Sequence, residues 1–232
     1  ETIRRLLRKP TNCTNWPKPP TTTKPIGMSL QNIATVYVGM DQYPEAIDYY
    51  KKALKALRPL PLPNYHLTHV YSHMASIYSV MKQFDEMVVC SDSILATINK
   101  VHAVDPNINM DQEHLMANAM YATAYFELGK LDKALFHLNA AETLIAEKGL
   151  VHLQYIADQA ARSYYQETGN YAKALEYNKR YLDFLQSNNM TTDWGEAMKL
   201  HGDIYFKMKK YDDAATYYAR SIEVNDSIER IT

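Results

Sequence analysis

The chain has 232 residues, of which 47% are hydrophobic and 22% charged, and its formal net charge is -1. This balance is typical of folded globular proteins and excludes the low hydrophobicity and high net charge of disordered chains. A near-neutral charge disfavours nucleic acid as a partner of this segment, because nucleic-acid binding requires a basic patch. No apolar run approaches the roughly 20 residues that span a bilayer, so we predict no membrane insertion by this segment.

Residue usage indicates helices. The chain contains only seven glycines, but nineteen tyrosines and eleven methionines. Few glycines mean few tight turns, and long segments follow a 3.6-residue period while none alternates in polarity as a strand does. The predicted fold class is therefore all-α. The two cysteines, Cys13 and Cys90, are too few for a disulfide framework or a metal site, and they leave the redox compartment open.

The first 26 residues lie outside the helical pattern. Residues 1–8 are consistent with the tail of a preceding helix, whereas residues 9–26 are rich in proline and contain three consecutive threonines. Proline cannot continue a helix, so we predict an extended linker in this segment.

From residue 27 to residue 232 we predict one repetitive domain. Five segments of twenty residues align without internal gaps, and we predict helical hairpins at about 27–60, 64–104, 110–148, 150–187 and 191–229. The last hairpin has no polar capping helix after it, so we expect the native protein to continue past Thr232. The aligned positions are, in chain order, Ala34, Ala75, Ala122, Arg162 and Gly202; then Tyr37, Tyr78, Tyr125, Tyr165 and Tyr205; then Tyr43, Phe84, Leu131, Tyr171 and Tyr211; then Ala46, Met87, Ala134, Ala174 and Ala214.

This pattern resembles the tetratricopeptide repeat, in which a small residue, a tyrosine, a second aromatic residue and an alanine recur at these offsets. The resemblance covers residues 27 to 229 and implies a right-handed α-α superhelix, that is, a solenoid of five helical hairpins. In such a hairpin the alanine lets the two helices approach closely, while the tyrosine and the second aromatic residue are expected to fill the wedge between hairpins.

The repeats depart from the usual length of about 34 residues. The aligned tyrosines are separated by 41, 47, 40 and 40 residues, which predicts that each helix is longer by roughly one turn. The surplus in the longest interval predicts a loop around residues 102–110. Repeats of this length resemble those of bacterial sensory and regulatory proteins, and also those of kinesin light chains. Arg162 departs from the small residue expected in the fourth repeat, and Ser91 and Ile94 weaken the pattern of the second.

The resemblance implies a non-catalytic scaffold that binds a protein or an extended peptide. Most specifically, it implies the sensory or interaction segment of a bacterial signalling regulator, located in the periplasm or the cytoplasm. The alternative is a constitutive assembly or cargo adaptor of the kinesin-light-chain kind, which heptad repeats flanking the solenoid would favour. We find no catalytic motif, and we predict neither enzymatic activity nor a cofactor.

The ligand-contacting positions of the family fall on the first helix of each hairpin, so they can be transferred residue by residue. They predict a groove lined by hydroxyl and amide groups, with two phenylalanines as apolar anchors. An equally weighted interpretation is that the small polar residues only keep the inner face soluble. The predicted groove residues are Gln31, Thr35, Ser72, Ser76, Thr123, Phe126, Gln159, Ser163, Gln166, Lys199, Asp203 and Phe206.

Two polar clusters are interpreted as surface or packing. A carboxylate clamp of the chaperone-adaptor kind needs several lysines and asparagines, but only Lys199 is present, and Asp203 lies one turn away to neutralise it. His66, His69 and His73 have the spacing of metal ligands on a helix. No acidic or cysteine ligand lies at matching spacing, so we predict that these histidines pack or face solvent and hold no metal.

Overall fold

The computed structural model describes residues 23–62 and 64–229, and the predicted linker up to residue 22 lies outside this part of the chain. The described residues form ten α-helices and one short 3-10 turn, Val151–Leu153, with no strand. This confirms the all-α helical-repeat superhelix. The helices are α1 Thr23–Val38, α2 Tyr43–Leu57, α3 Tyr65–Val80, α4 Phe84–Val104, α5 Asp111–Glu127, α6 Leu131–Lys148, α7 Gln154–Glu167, α8 Tyr171–Ser187, α9 Thr191–Lys207 and α10 Tyr211–Glu229.

Consecutive helices pack in pairs, so that α1 with α2, and each later odd-numbered helix with the next even-numbered one, forms a hairpin. The first helix begins at Thr23, inside the segment that the sequence assigned to the linker. Pro25 lies in its first turn, where a missing backbone N–H breaks no intrahelical hydrogen bond. Of the described helices, none combines the length and the apolar character needed to cross a membrane.

The turn inside each hairpin has the same backbone geometry. The fourth residue after each aligned tyrosine has a positive φ, and in four of the five turns the next N–H donates to the tyrosine carbonyl, as from Gln42 to Tyr37 at 2.9 Å. This is the left-handed helix end that glycine favours, because other residues are sterically strained there. The left-handed residues are Asp41, Lys82, Gly129, Gly169 and Lys209.

Small residues form the helix crossings, as the sequence predicted. Ala46, Ala134, Ala174 and Ala214 are each at most 1% exposed. In the fifth hairpin the crossing is so close that a Cβ atom on Gly202 would lie 2.8 Å from the Tyr218 ring. A larger side chain at these positions would therefore separate the two helices.

The aligned tyrosines pack both within and between hairpins. Each of four aligned tyrosines stacks on an aromatic ring twelve residues later in its own hairpin. Tyr37, Tyr78 and Tyr165 also pack in clusters that join two hairpins, as the sequence predicted. The expected role of the second aromatic position is wrong in two hairpins, because Leu131 and Tyr211 are 40% and 58% exposed. The stacked pairs and their ring-centroid distances are Tyr37–Tyr49 at 5.2 Å, Tyr125–His137 at 5.6 Å, Tyr165–Tyr177 at 5.5 Å and Tyr205–Tyr217 at 5.5 Å.

The spacing between odd-numbered helices changes along the solenoid. From α1 to α7, each odd-numbered helix contacts the next odd-numbered helix directly, whereas α9 packs chiefly on α8 and α10. This leaves an opening between α7 and α9 on the face formed by the odd-numbered helices. That opening forms part of the candidate binding site.

Candidate binding groove

Three cavities follow one another along the face formed by the odd-numbered helices. The N-terminal cavity has a volume of about 190 Å³, the middle cavity about 410 Å³ and the C-terminal cavity about 790 Å³. Ser76 lines both of the first two, while Ser79, Tyr155 and Gln159 line both of the last two. The three cavities are therefore one continuous groove, which runs from α1 to α9.

Several predicted site residues meet in this groove. Thr35 and Ser76 line the N-terminal cavity, and Ser76, Thr123 and Gln159 line the middle cavity. These four residues come from four different hairpins, so the register taken from the repeat places them on one face. The remaining predicted residues line none of the three cavities: Gln31, Ser72, Phe126, Ser163, Gln166, Lys199, Asp203 and Phe206.

The hydroxyl groups that the sequence predicted for the groove already act as donors within the protein. Thr35, Ser76, Thr123 and Ser163 each donate to the backbone carbonyl four residues earlier, over 3.1 to 3.2 Å. Ser72 does the same to Thr68 over 2.9 Å and is buried. A hydroxyl bonded in this way still offers acceptor lone pairs. The accessible hydroxyls can therefore accept hydrogen bonds from a ligand, whereas the buried Ser72 does not belong to the accessible lining.

The predicted polar residues near the C-terminal end pair with one another. The ammonium group of Lys199 lies 3.9 Å from the carboxylate of Asp203 and 4.0 Å from that of Glu196. The hydroxyl of Tyr218 donates to Asp203 over 2.7 Å. This confirms that Asp203 lies close enough to neutralise Lys199.

The two predicted apolar anchors are accessible to different degrees. Phe126 is half-buried, whereas Phe206 is 56% exposed and packs edge-on against Tyr211 at 5.5 Å between ring centroids. Both therefore retain surface for a partner, although they lie beyond the cavities described above.

The structure adds groove residues that the sequence reasoning missed. The middle cavity is lined by Met116, Met120 and Tyr155, and the C-terminal cavity by Arg162. Met116 and Tyr155 lie one helical turn before the predicted rows, so extending each row by 3.6 residues would have found them. Arg162 was visible as an irregularity of the repeat, but nothing in the sequence showed that its side chain faces the groove.

The even-numbered helices carry a separate cavity of about 540 Å³, which we call the outer cavity. It lies between α8, α9 and α10, and its lining includes Trp194, Met198, His201 and Arg220. The ring of His201 packs against that of Tyr217 with 4.3 Å between ring centroids and an angle of 37° between the ring planes. Burial lowers the pKa of His201 to about 4, so its ring is neutral at physiological pH.

Comparison with known sequences identifies repeats at both ends of the chain. Models of the tetratricopeptide repeat match residues 27–58 and residues 196–227, in the first and the last hairpin. Among curated proteins, the chain is 21% identical over 203 residues to the protein KINESIN LIGHT CHAIN-RELATED 1 of Arabidopsis thaliana. That match covers 86% of this chain but only 32% of the plant protein, so the chain spans a minor part of its length.

Solved structures share the fold at low sequence identity. A Rap protein complexed with competence and sporulation factor has a TM-score of 0.70 and 18% identity, covering 88% of this chain and 55% of that one. A STAND signal-transduction ATPase with a tetratricopeptide repeat sensor, from Pyrococcus horikoshii, has a TM-score of 0.63 and 16% identity, covering 88% and 29%. The repeat models at both ends, together with the helical hairpins between them, show that the chain is built of tetratricopeptide repeats, and proteins of that family are generally non-catalytic interaction scaffolds.

Proposed function

We propose that this chain binds an extended peptide, or an extended segment of a partner protein, along the groove of its odd-numbered helices. The observation that carries the proposal is the continuity of the groove, which joins residues of all five hairpins. An extended chain has the right shape for such a groove, because it presents side chains and backbone groups over several turns of neighbouring helices.

The lining of the middle cavity suits a peptide. Met116, Met120 and Tyr155 offer adaptable apolar surface, and thioether side chains can repack around different ligand side chains. The amide of Gln159 has no hydrogen-bond partner within the described part of the chain, and it can both donate to and accept from a peptide backbone. The back-bonded hydroxyls supply further acceptors for peptide N–H groups.

We assign the peptide-binding role to the sensory or interaction segment of a bacterial signalling regulator. The structural likeness to a Rap protein complexed with competence and sporulation factor supports this assignment, as does the likeness to a STAND protein that carries a repeat sensor. In this role, a ligand that binds and dissociates changes the conformation or the surface that the scaffold offers to the other parts of a regulatory protein.

The second candidate is a constitutive adaptor that holds a cargo or an assembly partner. The curated plant relative, a kinesin-light-chain-related protein, favours this candidate. The two candidates differ in how long the ligand stays bound. A sensor releases its ligand and rebinds it, whereas an adaptor copurifies with one partner throughout. Purification of the native protein at physiological salt, followed by sizing and mass spectrometry, separates them.

The groove is tested by blocking it. Ser76→Arg places a long cation where the N-terminal and middle cavities join, at an exposed position that tolerates the substitution. Thr216→Arg is the matched control, because Thr216 is also exposed and back-bonded, to Asp212, but lies on α10 outside the groove.

The probe is a phage-displayed library of random dodecapeptides, selected on the wild-type chain. We expect enriched peptides to bind the wild type and Thr216→Arg equally and to lose binding to Ser76→Arg, with both variants melting as the wild type does. Equal binding by all three proteins would contradict the proposed site. A library with no enriched peptide would contradict peptide binding itself.

A further inference from the structure

Arg162 occupies a position that is small in every other hairpin. The equivalent residues Ala34, Ala75 and Ala122 are at most 3% exposed, and Gly202 is also buried. In the fourth hairpin the sizes are exchanged across the helix crossing. The residue sixteen positions later is large in the first, third and fifth hairpins, as Tyr50, Leu138 and Tyr218, but it is Asn178 in the fourth.

The exchange creates a buried polar site with a cation in it. A guanidinium N–H of Arg162 donates to the side-chain oxygen of Asn178 over 3.3 Å. Asn178 is fully buried, donates to the carbonyl of Ala197 over 3.0 Å and lies 2.9 Å from Nδ1 of His201. The Nε of Arg162 is shielded from solvent and has no hydrogen-bond partner among the described residues.

The charge of Arg162 also lacks a close counter-ion. Within the described part of the chain no carboxylate lies within 4.0 Å of its guanidinium. Burial lowers the pKa of Arg162, which shows that the surrounding groups do not fully compensate the cost of a charge there. The neighbouring Arg180 is different, because it donates to the buried carboxylate of Asp158 over 2.5 Å.

The guanidinium of Arg162, which has no close carboxylate among the described residues, faces the groove. Arg162 lines the C-terminal cavity together with Gln159 and Tyr181, at the opening between α7 and α9. Two acidic residues, Asp193 and Glu196, line the mouth of the same cavity. Both are exposed, so water weakens the effect of their charges without removing it. Glu196 partly offsets the fall in the pKa of Arg162, and it also lies 4.0 Å from the ammonium group of Lys199.

We propose that Arg162 is the specificity-determining residue of the groove and binds the carboxylate of an aspartate or glutamate side chain within an extended peptide. This inference rests on the proposed peptide-binding function. A side-chain carboxylate fits better than a chain terminus, because the groove continues on the α5 side of Arg162 and α9 extends on its other side. A guanidinium offers several N–H donors in a fork that matches a carboxylate.

Ligand binding would supply the counter-ion that the free protein lacks. A charge-assisted hydrogen bond in a site shielded from water contributes more than a neutral one, so replacing the acid by its amide should weaken binding by about 10- to 100-fold. Removing the guanidinium should abolish the preference for the acid. The stability of the free protein should change little, because the removal of a buried charge offsets the loss of the hydrogen bond to Asn178.

The experiment uses peptides with amidated C-termini taken from the library selection, each made in matched aspartate, asparagine, glutamate and glutamine forms at every acidic position. Their dissociation constants are measured for the wild type, for Arg162→Met and for Arg180→Met. We expect the wild type to prefer an acid at one position. Arg162→Met should lose that preference with little change in Tm, whereas Arg180→Met should keep the preference at a lowered Tm.

Three results would overturn the inference without affecting peptide binding. They are selected peptides that show no preference for acids, an acid preference that survives Arg162→Met, and binding that requires a free C-terminus. A wild type that selects no peptide refutes the proposed function instead. Should Arg162→Met fold poorly, Glu196→Gln serves as the second variant. It should tighten binding of the acidic peptides several-fold and leave the amide forms unchanged, and the absence of that difference would contradict the inference.

Discussion

The two ends of the solenoid are held together by different chemistry. Between the first and second hairpins the buried residues are mostly apolar, and Leu57, Val70 and Met74 belong to one cluster that extends across both. The buried polar side chains there are uncharged and donate to backbone carbonyls: Asn64, Thr68 and Ser72. Between the fourth and fifth hairpins the buried set includes Asn178 and His201, which are hydrogen-bonded to each other. The same repeat pattern therefore supports both an apolar and a polar interface.

A second polar network lies in the fourth hairpin and is connected to the third by a hydrogen bond. Asp158 is 1% exposed and accepts hydrogen bonds from Arg180 and Gln154, over 2.5 Å and 3.0 Å. Tyr177 donates across the hairpin boundary to Glu142 over 2.5 Å. Polar contacts of this kind fix the relative orientation of neighbouring helices, but they stabilise less per contact than apolar burial does.

The comparison shows how a repeat protein can separate stability from recognition. The apolar end excludes water over a large area and contributes most to folding. Among the described residues, the polar end leaves the guanidinium of Arg162 without a carboxylate within 4.0 Å, beside the largest of the three groove cavities. Residues that serve a ligand are often imperfectly satisfied in the free protein, and this arrangement fits that pattern.

The largest stability effect is expected at the apolar end. Leu57 is fully buried against α1, and Leu57→Ala removes apolar contacts and leaves a cavity. We expect a loss of about 2 to 5 kcal/mol in the free energy of unfolding. Urea titration of the variant measures it, and a loss below that of ordinary surface substitutions would contradict the description of this interface as the main apolar core.

The helix crossings test whether the hairpins themselves differ between the two ends. Ala46 and Ala174 are both fully buried at equivalent crossings. Ala46→Leu and Ala174→Leu should each cost about 1 to 3 kcal/mol through overpacking. Equal losses would confine the difference between the ends to the interfaces between hairpins. An unchanged Tm for Ala174→Leu would show that Ala174 does not lie at a tightly packed helix crossing.

Lowering the pH should destabilise the polar end of the solenoid before the apolar end. Burial lowers the pKa of His201 from 6.5 to about 4, so between these values the unfolded state binds a proton that the folded state does not. The contribution of His201 to stability is therefore complete above about pH 6.5 and declines as the pH falls toward 4. Burial raises the pKa of Asp158, which acts in the opposite direction over the acidic part of that range.

Hydrogen exchange checks this pH dependence region by region. After correction for intrinsic rates, amides in α8 and α9 should lose protection between pH 7 and pH 5, while those in α2 and α3 change less. His201→Gln keeps an acceptor for Asn178 but does not titrate, so it should flatten the response. Uniform loss across the solenoid would show that the two interfaces do not differ in this respect.

The sequence predicted the repeat register well because the register is a property of local pattern. A tyrosine, a large residue and an alanine at fixed offsets place Ala46 and Ala174 at crossings without any knowledge of tertiary contacts. The same register placed Thr35, Ser76, Thr123 and Gln159 on one face. The turn geometry was less visible, because Lys82 and Lys209 adopt a left-handed conformation that their residue type does not suggest.

Side-chain hydrogen bonding and helix spacing could not be predicted in this way. A hydroxyl on a helix can donate to the backbone of its own helix or to a ligand. The residue type does not show which of the two occurs, and the structure shows the backbone bond for Ser72. The opening between α7 and α9 depends on how α9 packs on α8, and side-chain packing between the two helices sets that arrangement, not the local residue pattern. The role of Arg162 follows from that opening, which is why the sequence showed it only as an irregularity.

The central claim, that ligands occupy the groove of the odd-numbered helices, is tested most directly by methyl NMR of ¹³C-labelled methionines. Met116 and Met120 line the middle cavity, Met190 the C-terminal cavity and Met198 the outer cavity. Titration with a library-selected peptide should shift the methyl signals of Met116, Met120 and Met190 and leave Met198 unchanged. A shift of Met198 with Met116 and Met120 unaffected would place the ligand in the outer cavity and contradict the account.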